Sequence, residues 1–173
     1  MRNRQKGFSL IELLIVVAII LIIAAIAIPN LLRSKMAANE ASAVGSMRTL
    51  NTSAVEYSTA YGGYPQTLSV LGGSTTTNAS SQAAELIDTV LSSGTKSGYS
   101  FTWSSGAQDS NKNYLNYSIQ AQPSTPGTTG QRYFYTDQSG VIRANTSAAA
   151  TARRSPSVSM KRLASLSTRL AGG

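Results

Sequence analysis

The apolar run from Phe8 to Ile28 constrains the fold of this chain more than any other feature of its sequence. Its 21 residues include only two polar side chains, Ser9 and Glu12. As an α-helix the run would be about 31 Å long, close to the thickness of the hydrocarbon core of a bilayer. We therefore expect residues 8–28 to form a helix that is covered by lipid or by other copies of the same chain.

The residues that flank this run predict its orientation. Three basic side chains and no acidic one precede it, namely Arg2, Arg4 and Lys6. Basic residues concentrate on the cytoplasmic side of a membrane, so the remainder of the chain should be exported. A cleaved secretory signal peptide is the alternative, since the small residues at 25–27 resemble a cleavage site. The length of the run, its carboxylate and the proline at Pro29 favour a retained anchor.

Glu12 is the feature of the run that needs a functional explanation. A carboxylate deep in a membrane costs about 2.5–3.5 kcal/mol on insertion scales, and such groups usually have a partner. No basic residue follows Glu12 within the run. If the chain were cut after Gly7, the new α-amino group of Phe8 would lie one helical turn from Glu12. The same pairing could form between neighbouring copies in a bundle.

Residues 6–13 (KGFSLIEL) resemble the leader junction of type IV prepilins and type II secretion pseudopilins. The resemblance implies that residues 1–7 are a leader peptide and that a prepilin peptidase cuts between Gly7 and Phe8. It also implies N-methylation of Phe8 after cleavage. In that family the glutamate at the position of Glu12 pairs with the N-terminal amine of an adjacent subunit during assembly.

Residues 29–61 should continue the helix beyond the membrane. Pro29 leaves the carbonyl of Ala25 without its helical partner, so a bend is expected there, and the resemblance implies the same kink. Gly62 and Gly63 should end the helix, which would be about 81 Å long from Phe8 to Tyr61. Apolar side chains at steps of three or four predict one buried stripe: Ala37, Ala41, Val44, Met47, Leu50, Ala54, Tyr57 and Tyr61. The charged side chains should lie off this stripe: Arg33, Lys35, Glu40, Arg48 and Glu56.

Residues 62–97 are predicted to connect the helix to a sheet as an αβ-loop. Leu68, Val70 and Leu71 should hold the connection against the helix, and the polar stretch 72–82 should be exposed. Residues 83–91 are predicted to form two helical turns with four side chains inward: Leu86, Ile87, Val90 and Leu91.

Residues 98–145 change to a period of two, which predicts three or four antiparallel strands. The alternating residues are Tyr99, Phe101 and Trp103, then Leu115, Tyr117, Ile119 and Ala121. Segments 132–136 and 141–143 should form a hairpin around 137–140, with Gly140 in a left-handed conformation. The fold class is therefore α+β: a long kinked N-terminal helix packed against a small sheet, as in type IV pilins.

The net charge of +8 comes from the two ends of the chain. Fifteen basic and seven acidic residues are present, but residues 8–152 contain seven of each sign. The tail, residues 146–173, has no acid and is predicted to be disordered. A functional alternative is that this basic tail contacts DNA or anionic lipid.

The absence of cysteine and histidine argues against catalysis and cofactor binding. Disulfides, thiol chemistry, histidine acid–base catalysis and cysteine or histidine metal sites are excluded. No catalytic triad, paired carboxylates or phosphate-binding loop is present, so an enzyme is not predicted. Asp109, with Asn111 and Asn113, could offer oxygens to Ca²⁺, but a single carboxylate favours an ordinary polar loop.

The sequence therefore predicts a type IV pilin that polymerises through its N-terminal helix into a homo-oligomeric filament with other pilins. Its further expected partners are the prepilin peptidase and the inner-membrane assembly machinery. Before assembly it should cross the bacterial inner membrane once, with the N-terminus cytoplasmic and the head periplasmic, and afterwards lie at the cell surface. The alternatives are a type II secretion pseudopilin and a minor pilin that binds DNA or a surface through its tail.

Overall fold

A single long helix, α1, dominates the structure. The computed structural model describes residues 8–73 and 78–146, and α1 runs from Leu10 to Tyr61 over 52 residues. At 1.5 Å per residue its length is about 78 Å. Gly62 ends it in a left-handed conformation (φ +82°), and its N–H donates to the carbonyl of Ser58 at 3.0 Å. The predicted single helix ending at Tyr61 is confirmed, although it begins two residues after Phe8.

Pro29 lies within α1, and the helix resumes beyond it as predicted. The side-chain amide of Asn30 donates to the carbonyl of Ile26 at 3.1 Å. Ile26 directly follows Ala25, the residue whose carbonyl Pro29 leaves without a helical N–H donor. The bend at Pro29 stays a prediction.

A five-stranded antiparallel sheet packs against the second half of α1. Its strands are β1 (Thr95–Lys96), β2 (Tyr99–Ser105), β3 (Tyr117–Pro123), β4 (Tyr133–Asp137) and β5 (Arg143–Asn145). They form a simple meander in the order β1-β2-β3-β4-β5. The α+β architecture is confirmed, but the sheet has one strand more than the upper limit of the predicted three or four. The additional strand, β1, has two residues, which is too short to show a period of two.

Two strand boundaries also differ from the sequence prediction. Leu115, expected to open the second strand, precedes β3 and is 58% exposed. The last strand begins at Arg143 rather than at residue 141. The hairpin turn is as predicted: Gly140 has φ +71°, and its N–H donates to the carbonyl of Asp137 at 2.8 Å.

The predicted helix over residues 83–91 is largely wrong. Only one turn, α3 (Thr89–Ser92), is helical, and Val90, expected to point inward, is 54% exposed. The N–H groups of Ala84 and Leu86 instead donate to the carbonyls of Val70 and Leu71, both at 2.9 Å. These bonds to a distant segment replace the local bonds that a helix would need.

The connection after α1 is held by a second short helix, α2 (Leu68–Leu71). Leu68 and Leu71 are buried and Val70 is half-buried, as predicted. Residues 78–82 are exposed, as expected of the polar stretch, whereas Gly72 is buried. Residues 74–77 of that stretch lie outside the described residues.

The core lies between α1 and the sheet. Met47, Leu50, Ala54 and Tyr57 form the buried face of α1, as the stripe predicts. They pack with side chains from the rest of the head, among them Leu71, Leu91, Tyr99, Phe101, Ile119 and Phe134.

The prediction of a buried stripe is wrong at both ends of the second half of α1. Ala37 and Ala41 are exposed, and Tyr61 is 36% exposed. Glu40, expected to lie off the stripe, is instead only 8% exposed. The reason is its ion pair with Arg132, 92 residues further along the chain, which brings the carboxylate into the contact between helix and sheet.

Candidate functional site

The first half of α1 presents an uncovered apolar surface. No residue from 8 to 32 is buried, and only Ala24 is even half-buried. Large apolar side chains at both ends remain open to solvent, with Phe8 75% exposed and Leu31 69% exposed. Contiguous exposed apolar surfaces of this extent are rare on soluble monomers and mark sites of contact with a partner or a membrane.

The same segment has the length and composition of a membrane-spanning helix. Among the described residues, one helix is apolar and long enough to cross a bilayer. Its most apolar segment is not buried by the rest of the chain. Lipid and other protein copies are therefore the environments that suit residues 10–28.

Glu12 lies in the first turn of α1, at the start of this surface. Ser9 occupies the N-cap position, and its carbonyl accepts from the N–H of Leu13 at 3.2 Å, but its side chain makes no capping bond. A carboxylate in the first turn interacts favourably with the helix dipole. No ion pair involves Glu12 within residues 8–73 and 78–146.

The structure describes some of the other predicted site residues but not all of them. Phe8 precedes α1 and is exposed, and Pro29 lies inside the helix. Gly7 lies outside the described residues, as does most of the basic tail, residues 147–173. Cleavage after Gly7, methylation of Phe8 and pairing of Glu12 stay predictions.

In the head, by contrast, a second glutamate is fully paired within its own chain. Glu40 accepts from the N–H groups of Gln131 (2.8 Å) and Arg132 (3.2 Å), and its other oxygen accepts from Arg132 Nε at 2.6 Å. Burial by itself would raise the pKa of Glu40, but these hydrogen bonds and the charge of Arg132 together hold it below its usual value. The carboxylate is therefore ionised and joins α1 to the start of β4.

Sequence reasoning missed this contact although a spacing signal existed. Glu40, Ala43, Met47 and Leu50 follow the steps of three and four that define one helix face. The charge of Glu40 argued against assigning it to that face. A partner such as Arg132 cannot be found from the local pattern.

Two further ion pairs lie in the head. Asp137 accepts from Arg143 at 3.2 Å and from the N–H of Ser139 at 2.9 Å. Burial would raise the pKa of Asp137, but the bonds from Ser139 and the charge of Arg143 lower it. Asp88 pairs with Lys96 at 2.7 Å, and this bond, with that from the N–H of Leu91, lowers the pKa of Asp88.

Aromatic contacts fix the sheet against the helix and the loop after it. The ring of Trp103 stacks on Tyr117 at 4.7 Å between centroids, and its indole N–H donates to the carbonyl of Pro65 at 3.0 Å. The hydroxyl of Tyr117 donates to Asn51 Oδ1 at 3.1 Å. Burial raises the pKa of Tyr117 to about 12, so this hydroxyl remains protonated and able to donate.

The loop suggested for Ca²⁺ uses its carboxylate internally. Asp109 Oδ1 accepts from the N–H groups of Asn111 and Asn113, both at 2.8 Å. Within the described residues no group of three or more acidic side chains could hold a metal ion. The geometry is that of a self-supported polar turn.

Comparison with known proteins supports the resemblance found in the N-terminal segment. Residues 2–28 match the family model described as the prokaryotic N-terminal methylation motif. This range includes Gly7, Phe8 and Glu12.

Three similar proteins carry pilus, fimbrial or type II secretion names. The chain is 65% identical over 40 residues to the type IV wide pilus major component PilA4 of Thermus thermophilus, covering 23% of this chain and 30% of that protein. It is 33% identical over 72 residues to the type II secretion system core protein G of Dickeya chrysanthemi, covering 42% and 47%. It is 54% identical over 52 residues to the type IV major fimbrial protein FimA of Dichelobacter nodosus, covering 28% and 33%.

The matched segments span less than half the length of each of these relatives. Together with the methylation motif and the long helix beside an antiparallel sheet, they confirm the resemblance to type IV pilins and type II secretion pseudopilins.

Proposed function

We propose that this chain is a structural subunit, a type IV pilin, that polymerises through α1 into a surface filament. One observation carries the proposal: residues 10–32 of α1 form a mainly apolar helical surface that the chain itself leaves uncovered. The match of residues 2–28 to a methylation motif supports the further steps of cleavage after Gly7 and N-methylation of Phe8. A prepilin peptidase would perform the cleavage.

The mechanism follows from the two environments that suit this helix. In the inner membrane, with the N-terminus cytoplasmic and the head periplasmic, lipid covers residues 8–28. In the filament, the same residues of neighbouring copies cover one another. Lipid tails and side chains are similarly apolar, so this exchange gains little hydrophobic free energy, and close packing and polar contacts decide the geometry.

Glu12 supplies the polar contact in this mechanism. A charge surrounded by apolar groups is costly when alone and tolerated when paired. After cleavage, the α-amino group of Phe8 in an adjacent copy would supply a cation at the same end of the helix as Glu12. Pairing Glu12 with that amine selects one register among the many that an apolar helix would otherwise permit.

The main test removes the carboxylate of Glu12. Glu12→Ala should insert into the membrane and be processed normally but form few or no filaments, as seen by electron microscopy of sheared cells. Glu56→Ala is the matched control, because Glu56 is an exposed glutamate on the same helix. Normal filaments from Glu12→Ala would contradict the proposed role of Glu12.

The intact mass of the mature protein tests the processing steps separately. The proposal expects a mass that begins at Phe8 and includes one added methyl group. A mass that still includes residues 1–7, or that begins beyond Phe8, would contradict it.

A type II secretion pseudopilin is the second candidate. The relative named type II secretion system core protein G matches 42% of this chain, a larger share than the pilus and fimbrial relatives match. Deleting the gene separates the two functions: loss of surface fibres with normal secretion favours the pilin, and loss of secretion with normal fibres favours the pseudopilin. Both candidates are structural subunits rather than enzymes.

A further inference from the structure

A cleft lined by tyrosines lies at the end of α1 opposite Glu12. Tyr57 and Tyr61 from the last turns of α1 line it together with Tyr64 and Tyr114. Its volume is about 360 Å³, within the range of small-molecule sites. The separation of Tyr57 from Glu12 along the helix is about 68 Å, so the cleft is remote from the proposed assembly surface.

The walls of this tyrosine cleft are held by close backbone contacts. The N–H of Tyr64 donates to the carbonyl of Tyr114 at 2.9 Å, and the hydroxyl of Tyr57 donates to the carbonyl of Ser81 at 2.6 Å. A Cβ added at Gly63 would lie 2.7 Å from the Cβ of Asn113, so only glycine fits where these two segments meet. The cleft is therefore formed in the folded chain before any ligand binds.

The loop that carries Lys112 is also fixed. Lys112 has φ +65°, a conformation that non-glycine residues rarely adopt. The carboxylate of Asp109 holds it by accepting from the N–H groups on either side, those of Asn111 and Asn113. Backbone strain of this kind is often found at binding sites.

Several polar side chains on the rim of the cleft have no hydrogen-bond or ion-pair partner among the residues that the structure describes. Gln66, Gln82 and Lys112 line the cleft, and their side chains make no hydrogen bond or ion pair to another described residue. The hydroxyls of Tyr64 and Tyr114 are likewise without a partner among the residues that the structure describes. The lining contains no carboxylate.

This combination of groups matches the chemistry of a carbohydrate. A pyranose ring has apolar C–H faces that stack on aromatic rings, and its hydroxyls pair with amides, phenols and ammonium groups. We propose that the tyrosine cleft binds a short glycan, with a pyranose ring against Tyr61, Tyr64 or Tyr114. Gln66, Gln82 and Lys112 hydrogen-bond its hydroxyl groups or the carboxylate of an acidic sugar.

This inference does not depend on the proposed function. Glycan binding concerns the far end of the molecule and could be present in a subunit that forms no filament. The two proposals therefore fail independently.

The test uses the full chain dispersed in a detergent without sugar headgroups, because glycoside detergents would compete for the cleft. A printed array of defined mono- to tetrasaccharides, neutral and uronic-acid-containing, is the probe. Saturation-transfer NMR then measures affinity for each sugar that binds. The proposal expects at least one sugar to bind, and the array separates neutral from acidic ligands.

Three variants and one control locate the site. Tyr114→Ala should reduce affinity about tenfold or more, and Gln66→Ala several-fold, because each removes a contact worth about one hydrogen bond or stacked ring. Lys112→Gly keeps the backbone conformation and removes the ammonium, so it should weaken acidic sugars most. Gln122→Ala is the matched control, since Gln122 is an exposed glutamine on β3 outside the cleft.

Two results would overturn the proposal. One is that no sugar on the array binds, even though circular dichroism shows a folded head. The other is that binding is reduced equally by Gln122→Ala and Gln66→Ala. If Tyr114→Ala altered filament formation while no sugar bound, the cleft would be a contact between copies of the chain instead.

Discussion

The two halves of α1 share one continuous helix but differ in what covers them. Residues 8–32 include no buried side chain, whereas Met47, Leu50 and Ala54 in the second half have no exposed surface. Both halves are helical, although Pro29 in the first half cannot donate the usual backbone hydrogen bond. The helix therefore forms whether or not its side chains are buried. Only the second half of α1 packs against other residues of the same chain.

The glutamates of the two halves show the same contrast. Glu40 has three donors from Gln131 and Arg132, and Glu12 has no ion pair within the described residues. One carboxylate stabilises the fold, and the other is available to a partner outside it. Substitutions in the two halves should therefore differ in their effects on the stability of the head.

The same kind of truncation should have effects of very different size in the two halves. Leu50→Ala should lower the free energy of unfolding of the head by about 3 kcal/mol, because it removes a fully buried side chain and leaves a cavity. Ile19→Ala, at a position 52% exposed, should change it by less than about 0.5 kcal/mol. Urea unfolding of the full chain in detergent, followed by tryptophan fluorescence from Trp103, measures both. Equal changes in the free energy of unfolding for the two variants would contradict the difference in burial between the two halves.

Removing the charge of Glu40 should have the next largest effect. Glu40→Gln should lower the free energy of unfolding by about 2 kcal/mol, because it weakens three hydrogen bonds, one of them to a guanidinium. Glu56→Gln, on the exposed side of α1, should change it by less than about 0.5 kcal/mol. If the two variants unfold at the same urea concentration, the ion pair contributes nothing to the head.

The stability of the head should decrease in acid. The folded-state pKa of Glu40 lies below its ordinary value of 4.5, so the unfolded chain binds protons first as the pH falls. The contribution of Glu40 is fully present above that ordinary value and is lost as the pH falls through the lower folded pKa. Asp137, with a lowered pKa, adds to the same trend.

Urea midpoints measured from pH 7 to pH 2 check this dependence. Glu40→Gln should show a smaller loss of stability than the unaltered chain below about pH 4.5, because it has no carboxylate to protonate at that position. An identical pH profile for both proteins would contradict the assignment to Glu40.

The smallest expected effect concerns the indole of Trp103. Trp103→Phe keeps a ring against Tyr117 but removes the hydrogen bond to the carbonyl of Pro65. The free energy of unfolding should fall by about 1 kcal/mol, measured by far-ultraviolet circular dichroism in urea. A change well above 3 kcal/mol would mean that packing of the larger ring dominates over the hydrogen bond.

The sequence predicts those features that depend on neighbouring residues. The end of α1 at Gly62, the alternation in β2 and the turn at Gly140 all follow from local geometry. Residues 83–88 are predicted wrongly because the N–H groups of Ala84 and Leu86 bond to α2, which no local pattern reveals. The burial of Glu40 depends in the same way on distant Arg132.

The two candidate sites also differ in whether their residues are neighbours in the sequence. Residues 6–13 form one contiguous motif, so the proposed roles of Gly7, Phe8 and Glu12 can be inferred from the sequence alone. The tyrosine cleft cannot, because its side chains come from the end of α1, the loop after it and the segment before β3. Only the fold brings Tyr61 and Tyr114 together.

Burial of the first half of α1 in the filament is tested most directly by comparing two single-cysteine variants in sheared filaments. The chain has no native cysteine, and Ile19 and Val141 are each 52% exposed in the single subunit. Ile19→Cys and Val141→Cys are treated with a sulfonated maleimide, and the total thiol is measured after denaturation. If copies of the chain bury the first half of α1, Val141→Cys is labelled in intact filaments and Ile19→Cys is labelled only after they are denatured. Equal labelling of both in intact filaments would contradict burial of the first half of α1 by other copies of the chain.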